Sequence, residues 1–554
     1  MKYLAAILFL ILILLFTSPP TLAQWPTSPD QRLYIGYGIH NLIVSDGEGG
    51  AFVVYRNNPE GFNHQCYLQK LDSFGYPLFW QPLHLDTGGG YYVPHFNAVT
   101  DGQGGVIIAL LERCVIAGDS TKRLIAFRFD QDGIPLWGAQ GIQVNGENPP
   151  GESEFPLSAD SSGGAYFLWL GGGFHVQHVG ANGDLQWGPE GIVLGYIQPP
   201  QTLDMNLCST VEACWATAKT DTLRAFKLSP QGQHLWSEDG VVMPDLGYER
   251  KMAPDGVGGV VQICKQYILP SGARLISYRL DQNGEWVWGD EGLDLGWQFW
   301  DKNILSYDGF IYYGWDSYDP QSTVFSVAQK TDLQGEIQWF ENGVYLNQNA
   351  DGQNSTRMAE ANSTGILFVW ADYRDSCTFN FFAQKLSYSG EELWDIDDIR
   401  ISDGNLTKGA PHMDNNGSGG CIVSWFEIDP IYSQRICAAM VNAEGELGVV
   451  SGIDEKQNPP FPGRITLLPA FPNPFNSSTV LSFQLQVAGM VKLDVFDING
   501  RTVGARHAVP LQKGWYPPGT HQITFDGSGL TSGIYLARLQ AGSYQATEKL
   551  VLLK

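Results

Sequence analysis

Two short runs concentrate charged side chains of the kind that bind or catalyse. Glu112-Arg113 follows Leu110, and Asp372-Tyr373-Arg374-Asp375 follows Trp370 with three charges in four residues. Carboxylates beside a guanidinium can hold a polar ligand through charge-assisted hydrogen bonds, and a pair of Asp or Glu can act as acid and base on a glycosidic bond. A solvated, charged loop is the plainer reading of both runs. His175 and His178, three apart on an expected strand, point to opposite faces and make no shared metal site. Asp351-Gly352-Gln353-Asn354 offers oxygens of the kind calcium takes, but ordinary turn chemistry accounts for it, and no cofactor is expected. Gly-x-Ser-x-Gly, His-Glu-x-x-His and phosphate-loop patterns are absent from the sequence. Of the eight Cys, Cys208 and Cys214 flank a tight connection between two short strands, and Cys421 and Cys437 fall on neighbouring strands. Both pairs are candidate disulfides. Cys66, Cys114, Cys264 and Cys377 are scattered and read as buried thiols, and no zinc-type spacing occurs.

The elements that position these residues form a repeat. A turn glycine followed four residues later by Trp recurs at Gly133 and Trp137, Gly183 and Trp187, Gly232 and Trp236, Gly284 and Trp288, Gly335 and Trp339, and Gly390 and Trp394. Gly75 begins the series with Phe79-Trp80 near the expected place, and Gly445 ends it without a Trp. The eight glycines are 49 to 58 residues apart. Upstream of each turn lie two apolar segments, the first introduced by a Gly-rich hairpin such as Asp101-Gly102-Gln103-Gly104-Gly105. Each unit thus holds four short strands and almost no helical signal, the pattern of a propeller blade. The expected fold is all-β, an eight-bladed β-propeller over residues 24–450, with a seven-bladed ring plus one degenerate unit as the alternative. Gln31-Arg32-Leu33-Tyr34-Ile35 could supply the last unit's missing strand and latch the ring.

Residues that recur at one repeat position are expected to serve every blade. Trp169, Trp215, Trp315, Trp370 and Trp425, with Tyr55, are placed together at the end of the second strand, and packing between blades accounts for them better than a ring of sugar-stacking platforms. Asp130 to Trp137 resembles the Asp-box turn of sialidase propellers, but Leu136 stands where that motif has Thr. The composition agrees with many strands and tight turns: 65 Gly, 17 Trp, 24 Tyr and 28 Phe, with 16% charged residues. A net charge of -25 argues against a nucleic-acid partner.

The two ends carry addresses. Met1-Lys2-Tyr3 precedes an uncharged apolar run from Leu4 to Phe16, then helix-breaking Pro19-Pro20 and Thr21-Leu22-Ala23. This is the pattern of a signal peptide, expected over residues 1–23. No later segment has the ~20 apolar residues of a membrane span. Residues 451–466 read as a polar, Pro-rich linker, and 467–554 as about seven short alternating strands, the pattern of a small immunoglobulin-like β-sandwich. Within it, Phe471-Pro472-Asn473-Pro474-Phe475-Asn476, the run from Leu493 to Asp497 with Gly500-Arg501, Ser532-Gly533-Ile534-Tyr535 and Lys549 to Lys554 resemble the type A C-terminal sorting domain of the type IX (Por) secretion system. The resemblance implies recognition by that machinery through Pro472, Asn473, Pro474, Gly500, Arg501 and Lys554, passage through the periplasm to the cell surface or medium of a Bacteroidetes-like bacterium, and anchoring to surface lipopolysaccharide.

Sorting constrains location and leaves chemistry open. The expected function is a non-catalytic binding or adhesion module for a glycan or a protein, with Glu112, Arg113, Asp372, Tyr373, Arg374 and Asp375 as rim-loop candidates. The alternative is a carbohydrate-active enzyme, a glycoside hydrolase or lyase, with carboxylates in the propeller channel.

Overall fold

The computed structural model describes residues 25–448 and 466–554 apart from short internal stretches, which include 115–120, 197–204, 347–351, 375–377 and 498–500. The expected signal peptide and most of the linker lie outside the described residues. The ordered elements are all strands. Those before residue 449 form eight antiparallel sheets. Sheet 1 runs Ile39–Ser45, Ala51–Asn57, Gln65–Leu71 and Leu83–His84, and six more sheets repeat this order of four consecutive strands. The first strand of each sheet touches the first strand of the next, and that of sheet 8, His412–Asn415, touches that of sheet 1. The first strands therefore encircle an axis in a β-propeller-like arrangement.

Two kinds of turn build each sheet. Between the first and second strands, the side chains of Asp46, Asp101, Asp160, Asp255 and Asn416 each accept from the backbone N–H groups two and four residues on, at 2.7–2.9 Å. Between the third and fourth strands, Asp72, Asp130, Asp281, Asp332 and Asn442 do the same at 2.8–3.0 Å. An Asx side chain that satisfies its own loop makes a compact turn independent of distant contacts.

Tryptophan joins neighbouring sheets. The Nε1 groups of Trp137, Trp187, Trp236, Trp288, Trp339 and Trp394 donate to a carbonyl in the next sheet's second turn at 2.9–3.2 Å. Their rings lie against that turn's glycine. A β-carbon at Gly335, where φ is +91°, would stand 3.1 Å from the Trp288 ring. Gly335→Ala therefore combines an unfavourable left-handed backbone with a clash, and a loss of about 2 kcal/mol is expected. Urea denaturation measures it.

A cation at one repeat position adds to the joint. Arg128 bonds Asp101 of its own sheet at 2.8 Å and the Ala181 carbonyl of the next at 3.0 Å. Arg279 does the same with Asp255 at 2.7 Å and Leu333 at 2.9 Å. Lys227, Lys330 and Lys385 donate to carbonyls of the following sheet at 2.7–2.9 Å.

Sheet 8 is composite. Cys421–Ile428 and Gln434–Val441 pair with each other, and Leu33–Tyr37 pairs with the latter, as the latch reading expects. The missing tryptophan is also supplied from the other end of the chain. Trp25 is 1% exposed, and its Nε1 donates to Ser73 O at 3.0 Å, the bond the other tryptophans make. In sheet 1 the ring in this role is Phe79, which lies where a β-carbon on Gly133 would fall.

Three expectations change. Cys208 and Cys214 do not face each other: Cys208 is opposite Trp215 and Cys214 opposite Ser209, so their side chains enter the cores on opposite faces of the sheet. Cys421 pairs with Val441 and Cys437 with Trp425, four residues apart along the ladder, beyond disulfide reach. All four are free, buried thiols. Trp215 is not at the end of its strand; it is the second residue, and Ala218 occupies the position that the strand-end aromatics hold in other sheets. Trp169, Trp315, Trp370, Trp425 and Tyr55 do share one position and are buried.

Residues 466–554 form a three-stranded and a five-stranded sheet. Leu481, Phe483 and Phe525 of the first share one core with Leu493, Val495, Leu539 and Leu550 of the second. This is a two-sheet sandwich.

Candidate functional site

The tight Asx turns all lie at one edge of the sheets, between first and second or third and fourth strands. The longer connections, between second and third strands and from each sheet to the next, lie at the other edge. Binding residues are concentrated on such loops.

The described residues of both charged runs are at this edge, and their acids Glu112 and Asp372 are paired with arginines. Glu112 is within the strand Val106–Cys114, fully buried, and pairs with Arg123 across the ladder at 2.8 Å. Arg113 is opposite Lys122. Asp372 accepts from Arg374 at 2.6 Å, and Arg374 also bonds Asp398 at 3.0 Å while its guanidinium lies 4.0 Å from the Phe382 ring centroid. Tyr373 packs edge-on to Phe379. Asp375 lies outside the described residues. Glu427 repeats the device, accepting from Trp425 at 3.1 Å and from Arg32 at 2.7 Å. A buried acid two residues beyond the strand-end Leu110, Trp370 or Trp425 is thus shared by three sheets. His175 and His178 are buried in stacks with Trp169 and Tyr166.

A different set of residues converges on the axis. In the first strands, one tier of equivalent register comprises Leu42, Asn97, Asn206, Lys251, Asn303, Arg357 and His412. Three of these are basic, and they fall within four consecutive sheets. Lys251 Nζ donates to Asn303 Oδ1 at 3.2 Å, Asn303 Nδ2 to Thr356 O at 2.7 Å, and Arg357 pairs with Asp301 at 3.1 Å.

Bulges set this tier. One extra residue interrupts the first strand between Tyr248 and Lys251 and between Asn354 and Arg357, leaving Glu249 at φ +52° and Ser355 at +58°. A bulge bends the strand and re-aims the side chain that follows it. Asp316, fully buried, holds the second bulge by accepting from Ser355 N at 2.8 Å, Asp301 N at 3.1 Å and the Thr356 hydroxyl. Burial raises its carboxyl to about 6 against those hydrogen bonds.

Lys251 is open to solvent at the axis but ringed by protein at longer range; that burial, then the Arg357 charge, lowers it to about 8. Burial, followed by the charges of Arg357 and Lys251, pushes His412 down to about 3, so its imidazole is neutral. Beside this tier Tyr248, Tyr267 and Trp300 are 50%, 53% and 56% exposed. Sequence reasoning passed over the tier, although charged residues inside a first strand, as at Lys251 and Arg357, are the signal that marks it.

In the sandwich the four sorting motifs meet. Asn473 Oδ1 accepts from Val551 N at 2.8 Å, and Phe475 exchanges backbone bonds with Val551 and Leu553. Pro472 O accepts from Thr479 at 2.7 Å, and Pro474 joins Asn473 to Phe475. Asp497 Oδ1 accepts from Arg501 N at 2.9 Å, and Lys554 is tied to Ser532 and Ser528. Arg501 and Lys554 are exposed; Gly500 lies outside the described residues.

No curated protein matches the sequence. Among solved structures, the computationally designed Ika8 protein is similar at 12% identity over 75% of this chain and 99% of its own, with a TM-score of 0.37. The Penicillium chrysogenum alpha-L-arabinanase complexed with arabinobiose has 11% identity over 52% of this chain and 90% of its own, with a TM-score of 0.27. NanB sialidase of Streptococcus pneumoniae has 9% identity over 77% and 72%, with a TM-score of 0.29. Likenesses this distant assign no ligand. The family model described as "Secretion system C-terminal sorting domain" matches residues 469–553. Those residues are a type IX secretion system C-terminal sorting domain, and the chain that carries them is exported to the cell surface or the medium.

Proposed function

We propose that this protein is an eight-bladed β-propeller, closed by residues 33–37 and followed by an immunoglobulin-like sorting sandwich, that acts outside the cell as a non-catalytic module binding a glycan or a protein. Export begins with removal of residues 1–23, and surface lipopolysaccharide is the proposed anchor. One observation carries the binding reading: acids near the long-loop edge are engaged in ion pairs, while aromatic rings there are open. Glu112 is held by Arg123, Asp372 and Asp398 by Arg374, Asp301 by Arg357, and Glu249 by Lys302 at 3.2 Å. Hydrolysis of a glycosidic bond needs two carboxylates facing substrate.

The raised carboxyl of Asp316 favours the enzyme alternative, since a protonated acid near neutral pH is what such catalysis uses. Its complete burial and its role in holding the Ser355 bulge weigh against contact with a substrate. The exported protein is expected to be retained on a glycan or protein array without releasing reducing ends from a polysaccharide panel. Release of reducing ends would establish the enzyme reading instead.

A further inference from the structure

The chain carries a net charge of -25, yet Lys251, Arg357 and His412 gather on one half of the axial tier. No carboxylate lies within ion-pair distance of Lys251 among the described residues; its one hydrogen bond goes to the neutral Asn303 side chain at 3.2 Å. An ammonium has three donors, so two remain for a ligand. The His412 ring nitrogens have no hydrogen-bond partner among the described residues, and Arg357 spends one terminal nitrogen on Asp301 at 3.1 Å and Thr356 O at 2.9 Å. Bulges with left-handed Glu249 and Ser355 precede Lys251 and Arg357, as one with left-handed His40 precedes Leu42, and re-aim the side chains that follow them.

Beside the cations, Tyr248 begins the same strand as Lys251, and Trp300 immediately precedes Asp301. Both rings are about half exposed. A carboxylate answers the open donors, and flat apolar rings answer the face of a sugar. We propose that Lys251, Arg357 and His412, with Tyr248 and Trp300, bind a carboxylate-bearing saccharide, its acid group on the axial tier and its ring against the aromatics. This rests on the glycan-binding reading and names the class of glycan.

The test is an array of uronate- and sialate-bearing glycans printed beside their methyl esters, probed with the exported protein and with Lys251→Met and His412→Ala. The free acids are expected to retain the protein at least about tenfold more than the esters, with Lys251→Met abolishing the difference. His412→Ala is expected to reduce it. A thermal midpoint close to that of the parent protein identifies the loss as one of recognition. Equal retention of acid and ester, or an acid preference that survives Lys251→Met, would overturn the proposal. Retention of neutral glycans alone would overturn it while leaving the binding reading intact, whereas cleavage of the printed glycans would overturn that reading.

Discussion

A chain lacking residues 467–554 is expected to accumulate in the periplasm, with surface and medium levels reduced to background. The domain carries the export signal, and folding is what brings its motifs together. Motifs at the start and end of the domain, 76 to 78 residues apart, become one surface: Asn473 bonds both the Lys549 carbonyl, at 2.6 Å, and the Val551 amide. Lys554 is fixed against the turn that contains Ser528 and Ser532. A shared core of Leu481, Phe483, Leu493, Val495 and Leu550 holds these edges in place. Leu550→Asp, which buries an unpaired charge in that core, is expected to reproduce the deletion with the motifs intact in sequence. Fractionation and immunoblotting of both variants decide the matter. Undiminished arrival outside the cell after the deletion would refute the assignment of export to this domain.

What could be read from the sequence was local chemistry. The Asx turns satisfy their own backbone, so Asp130 and Asp281 announce their loops without any distant partner. The Gly and Trp of each repeat were equally visible, but their pairing was not: each Trp serves the glycine of the next sheet, as Trp288 does Gly335, about one full repeat away. Cys208 and Cys214 were misjudged for the reverse reason. Their spacing fits a hairpin, but the side-chain period of two puts diagonal neighbours on opposite faces, a point decided by register alone. Trp215 lies three residues before the position its supposed equivalents hold, which Ala218 fills, a register that only the strand pairing reveals.

The acids that begin the charged runs belong to the repeat. Fold stability uses them, since Glu112, Asp372 and Glu427 occupy a buried position that each fills with an arginine. The axial tier escaped because the first strand is the least regular element of each unit. A bulge before Lys251 and before Arg357 breaks the alternation by which a strand face is recognised, and the tier is assembled from residues about fifty apart.

Replacing Trp25 with Ala is expected to destabilise the protein by about 3–5 kcal/mol, a large share of the 5–15 kcal/mol typical of folded domains. Six other tryptophans make the same joint from within their own sheets, but Trp25 makes it from the far end of the chain. It is 1% exposed, packs with Leu33, Ile43 and Val53, and bonds sheet 1 through both its indole and its backbone amide, the latter to Phe74 O at 3.0 Å. The adjoining strand Leu33–Tyr37 covers Gln434–Val441, which otherwise would be a bare edge, and Arg32 fills the buried Glu427 site. Loss of the indole therefore weakens the packing at the joint between sheets 8 and 1 and the seating of the strand that closes sheet 8. An open array of sheets unfolds piecewise because each unit then contacts only its neighbours, so the urea transition of Trp25→Ala is expected to broaden as its midpoint falls. Val211→Ala, at a 62% exposed turn position, serves as the control and is expected to stay within about 0.5 kcal/mol. A loss below about 1 kcal/mol for Trp25→Ala would show that the joint between sheets 8 and 1 is held by the strand pairing alone.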